Sequence, residues 1–85
     1  MIYFITQEDR KYVKIGFTSV PISLRLKGLQ TGNPHKLSVI DTMDGGVQSE
    51  RNLHKLFSED HYSGEWFVYS DSIKEYLQGI RTLWD

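Results

Sequence analysis

Two apolar runs, "MIYFIT" at residues 1–6 and "YVKIGF" at residues 12–17, flank the polar stretch "QEDRK". Their β-branched and aromatic content predicts two strands joined as a β-hairpin. Lys14 lies inside the second run, between Val13 and Ile15. An ammonium there needs a partner or a task, because burying an unpaired charge is costly. A turn symmetric about Glu8 and Asp9, with a two- or four-residue loop, puts Tyr3 opposite Lys14 on one sheet face. In that register the ammonium would favour the phenolate form of Tyr3. A three-residue loop puts Ile15 opposite Tyr3 instead, and then the argument fails.

Beyond the hairpin, "TSVPISLRLKGLQTG" predicts a helix with Thr18 or Ser19 as cap and Pro21 in its first turn, stopped by "TGNP". "KLSVIDTM" predicts a third strand, "DGG" a break and "VQSERNLHKLFSED" a second helix. "GEWFVYS" predicts a short strand. "SDSIKEYLQGIRTLW" predicts a third helix opened by a capping box from Ser72 to Glu75. The order ββαβα followed by βα is that of a small α+β fold. Its 85 residues suffice for one domain, residues 1–85. The absence of cysteine excludes disulfides, thiolate metal sites and cysteine nucleophiles. No run approaches membrane-spanning length, so the expected location is the cytoplasm and no membrane partner is expected. The net charge of −1 argues against broad nonspecific nucleic-acid affinity. Eight of the ten Lys and Arg fall within residues 1–55, however, which leaves room for a basic face.

Polar residues at apolar positions carry more information than composition does. Glu50, Leu53, His54 and Phe57 follow helical i, i+3, i+4, i+7 spacing and share one face. Either the helix is rotated so that Glu50 and His54 reach solvent at the edge of the stripe, or the two form a metal-ligating or acid–base pair. Arg25, three residues after Ile22 and four before Leu29, lies on or beside the apolar side of the first helix; snorkelling alone would account for it. A tyrosine and a lysine on a sheet, an arginine on one helix, and a glutamate with a histidine on the next are the residue types of metal-assisted phosphodiester hydrolysis. That chemistry needs a base for water, a carboxylate for a divalent cation and a cation for phosphoryl charge. The carboxylates found suit one metal better than two. Asn33 and Lys36, around the "TGNP" turn, are candidate substrate contacts, and ending the helix is the plainer role of that turn.

The stretches "IYFI", "VKIGFT", "RLKGLQTGNP", "ERNLHKLF" and "GEWF", in this order, resemble the GIY-YIG nuclease superfamily, and within it the T5orf172 branch. The resemblance runs from Ile2 to about Phe67. It implies a small three-stranded antiparallel sheet flanked by helices, and DNA cleavage with one Mg2+ (or Mn2+) per site. By the same resemblance Tyr3 is the general base, Gly16 closes the second motif, Arg25 contacts the scissile phosphate and Glu50 binds the metal. Lys14 stands where other branches have a tyrosine, so it is expected to face the site. Leu29 occupies a position where many members carry His or Tyr, and His54 is expected to take over as proton shuttle. The expected activity is that of a DNA endonuclease or nickase, with target choice drawn from the domain itself, a homodimer or a protein partner. The alternative is a catalytically silent GIY-YIG-fold module that binds nucleic acid or protein.

Overall fold

The computed structural model describes residues 1–84, with side chains through Ile80. Its elements are β1 (Ile2–Gln7), β2 (Tyr12–Phe17), α1 (Ile22–Gln30), β3 (Leu37–Met43), α2 (Val47–Leu56), a 3₁₀ turn (Ser58–Asp60), β4 (His61–Ser63), β5 (Trp66–Val68) and α3 (Asp71–Trp84). The class is α+β as expected, but the sheet has five strands rather than three, antiparallel throughout in the order β3-β1-β2-β5-β4. The additional members are β5, which the sequence indicated as a strand, and β4, which falls in what reads as a polar loop.

β1 is buried almost end to end because helices cover both faces of the sheet. Ile2, Phe4, Val13 and Ile15 meet Leu53 and Phe57 at α2, Phe67 of β5, and Ile73 and Leu77 of α3. On the opposite face Tyr3, Ile5 and Leu37 are covered by Ile22, Leu26 and Leu29 of α1. A continuous apolar run is what a strand with two buried faces requires.

The hairpin register differs from both expected versions. Tyr3 pairs with Gly16, and Lys14 pairs with Ile5. The turn is centred on Asp9 and Arg10, one residue later than expected: the Arg10 amide donates to the Gln7 carbonyl at 3.0 Å, and Arg10 takes φ 56°. Asp9 stabilises this turn by accepting from the Lys11 amide at 3.0 Å. Lys14 therefore keeps the face of Tyr3 but sits diagonal to it.

The helix caps also shift. Pro21 occupies the N-cap position of α1 without a side-chain cap, while Thr18 bonds locally to the Val20 backbone. At α3 the hydroxyl of Ser70, rather than that of Ser72, accepts from the Ile73 amide at 3.3 Å. The same hydroxyl donates to Asp60 at 2.8 Å and ties the helix to the 3₁₀ turn. Among the described residues, no helix is long and apolar enough to cross a membrane.

Candidate active site

Tyr3 is fully buried, and its hydroxyl is the one buried side-chain polar atom without a hydrogen-bond partner among the described residues. Leaving such a group unpaired costs about 1–3 kcal/mol, so its retention calls for a function or a ligand. Gly16, directly across the hairpin, makes room for it, since a Cβ at that position would collide with the tyrosine hydroxyl. Arg25, exposed on α1, holds its guanidinium carbon 6.0 Å from the centroid of the Tyr3 ring. The Tyr3 hydroxyl is also the main influence that holds the Arg25 proton more tightly than usual, although the pair does not reach hydrogen-bond geometry.

A second group forms where β5 begins. Pairing between β2 and β5 runs from Tyr12–Val68 to Lys14–Trp66, and the Ile15 amide then donates to the Glu65 carbonyl at 3.0 Å. The Ile15 carbonyl pairs with His54 Nε2 at 2.8 Å. One strand residue thus fixes Glu65 through its N–H and His54 through its C=O. Glu50, one helical turn before His54, lies 3.7 Å from the same Nε2. The ligand atoms of Glu50, His54 and Glu65 all fall within 4.8 Å of one another, and all three residues are half-buried. The ring of His54 also packs on Phe67 at 5.0 Å between centroids. Glu50 and His54 thus lie half-buried on the face of α2 that also carries Leu53.

Lys14 reaches this cluster. Its Nζ lies 3.0 Å from Glu65 Oε1 and 5.8 Å from the Trp66 ring centroid. Burial, and then the neighbouring Glu65, push Glu50 above its ordinary pKa. Burial alone would raise Glu65 too, but hydrogen bonds from Glu50 and Lys14 outweigh it and hold Glu65 below the usual carboxylate range. Two carboxylates this close share a proton or take a cation.

The sheet thus gathers Tyr3, Gly16, Lys14, Arg25, Glu50 and His54 into one region. Asn33 and Lys36 stand apart. Asn33 spends its side-chain oxygen on the His35 amide at 2.9 Å, and Lys36 is exposed beside it. His35 approaches Glu8 at 3.4 Å, which places this loop at the turn end of the hairpin. From Glu8 back to Tyr3 is five strand residues, about 16 Å. Glu65 is the cluster member that the pattern of the sequence did not single out. It lies in a loop, outside any helical period, and its one signal was its place in "GEWF".

Two carboxylates and an imidazole beside a buried phenol, a lysine and an arginine, carried on a small α+β sheet, define a domain with a donor set suited to a divalent cation. The chain belongs to the T5orf172 domain family, whose family model matches residues 1–85. This is a nuclease-like domain family. No curated protein and no solved structure matches the chain significantly.

Proposed function

We propose that this domain is a metal-dependent DNA endonuclease or nickase of GIY-YIG type, using one Mg2+ (or Mn2+) per site. The observation that carries the reading is the meeting of Glu50, His54 and Glu65 within 4.8 Å. Hard divalent cations take carboxylate oxygens and keep much of their water, and Mg2+ in particular is usually bound by one or two carboxylates. Glu50 is the first such ligand and Glu65 stands ready beside it. His54 commits Nε2 to the Ile15 carbonyl, so its part is to orient Glu50 and pass protons. A bound divalent cation supplies positive charge to a phosphate oxygen and to the water next to it.

The chain's own groups do the rest. Tyr3, whose hydroxyl has no partner among the described residues, would serve as base in its phenolate form: its own proton goes to solvent first, and the phenolate oxygen then takes the proton of the attacking water. Arg25, over the edge of that ring, offsets charge growing on the phosphoryl oxygens. Lys14, diagonal to Tyr3 on the same sheet face, supports the same charge once phosphate competes with Glu65 for its ammonium. Gly16 keeps the phenol in place.

A second reading, a silent module that binds nucleic acid or protein, has one observation in its favour: Lys14 already neutralises Glu65. Supercoiled plasmid incubated with Mg2+, Mn2+ or EDTA separates the two readings. Metal-dependent nicking or linearisation that disappears in Glu50→Gln and Tyr3→Phe supports the nuclease. Folded protein that cuts under none of these conditions supports the module.

A further inference from the structure

Beyond the cluster, the half of the sheet that α1 leaves open carries a cavity of about 350 Å³ lined by Gln7, Tyr12, Tyr62, Ser63 and Trp66. Tyr12 and Tyr62 hold their rings 4.4 Å apart at 33°, and Tyr62 keeps 61% of its surface exposed. Among the described residues, no hydrophobic core claims either ring. Trp66 joins the cavity to the candidate active site, because Lys14 lies over its ring while contacting Glu65. Tyr12 and Lys14 are alternate residues of β2 and therefore share a face, about 7 Å apart along the strand. That interval is close to one nucleotide step of an extended strand.

We propose that this cavity is a base pocket: it receives an unpaired nucleobase of the DNA strand whose phosphate lies at the neighbouring site. The inference rests on the nuclease reading for the identity of the strand. The chemistry is specific to a base. Aromatic faces stack on it, the Gln7 amide and Ser63 hydroxyl offer hydrogen bonds at its edge, and Lys14 is positioned for the adjoining phosphate. At this volume the cavity holds one planar ring system rather than a duplex. The domain would accordingly favour DNA with unpaired nucleotides next to the scissile bond.

The test uses the full chain carrying Glu50→Gln, so that DNA is not consumed, and reads fluorescence anisotropy on three labelled probes. One is a duplex with a short gap of unpaired thymines, one has abasic residues in the same gap, and one is fully paired. The thymine gap is expected to bind about tenfold tighter than the abasic gap, the scale of one base stacked on an aromatic side chain. Tyr62→Ala should erase that difference and leave the other two probes unchanged, whereas Tyr62→Phe should keep it. Equal affinity for thymine and abasic gaps overturns the pocket without any change to the protein. So does a uniform loss across all probes, a lowered melting temperature with binding intact, or no binding at all. Plasmid cleavage by the unsubstituted chain is scored separately. Cleavage without base preference removes the pocket alone, and base preference without cleavage removes the nuclease reading alone.

Discussion

The two faces of the sheet are built to different ends. Against α2 and α3, nine buried residues from six elements and loops interlock around Phe4 and Ile15, and the polar groups there are few. Against α1, three buried residues suffice, none of the helix is itself buried, and Tyr3, Lys14, Gly16 and Arg25 are gathered in or beside the contact. One face holds the fold together, and the other holds a phenol without a partner. The cluster of Glu50, His54 and Glu65 forms where the two meet, at the first rung of β5.

If that division is right, damage to the closed face should be read first in stability. Phe4→Ala removes a fully buried ring and is expected to cost about 3–5 kcal/mol, measured by urea unfolding. A loss below about 1 kcal/mol would show that the closed face is not the main core. The open face should respond in the opposite sense. Tyr3→Phe deletes a hydroxyl that bonds to nothing, so stability should hold or rise slightly. Cleavage, by contrast, should fall about 100-fold or more, the usual scale for losing a general base. Full cleavage by Tyr3→Phe would return the tyrosine to a packing role.

Gly16→Ala tests the seam between these two effects. The added methyl meets the hydroxyl end of the buried Tyr3 ring, so the tyrosine has to shift to admit it. Overpacking of this kind costs about 1–3 kcal/mol, and here it should also displace the phenol and depress cleavage. A variant that is destabilised but fully active would mean that the position of the phenol does not matter. The double variant Gly16→Ala with Tyr3→Ala should lose less stability than the two single losses added together, because the alanine methyl no longer meets a ring, and it should not recover activity.

How much of this was legible in the sequence follows the same division. Strands β1, β2 and β3 announced themselves through apolar runs, because burial drives their composition. β4 did not: His61, Tyr62 and Ser63 are all exposed, and the strand exists because Gly64, at φ 56°, turns the chain back onto Trp66 and Phe67. The hairpin register was hidden by Arg10, a left-handed residue that no glycine or asparagine advertised. Glu50 and His54 were visible through helical spacing. Glu65 reaches them only through space, fifteen residues on from Glu50, by way of the Ile15 amide. Spacing rules find partners on one element, whereas this centre is assembled across two elements and a loop.

The smallest expected effect sharpens the comparison most cleanly. Ser70 lies on the closed side of the molecule, where its hydroxyl caps α3 and holds Asp60. Ser70→Ala removes both bonds and should cost about 1 kcal/mol, read as a modest fall in melting temperature. Because none of these bonds touches Tyr3, Arg25 or the cluster, cleavage at temperatures well below melting should not change. Asp60→Asn keeps an acceptor for the hydroxyl and should lose less than Ser70→Ala. A drop in activity larger than the drop in folded fraction would mean that α3 transmits to the open face through the shared sheet. The two faces would then have to be treated as one coupled unit.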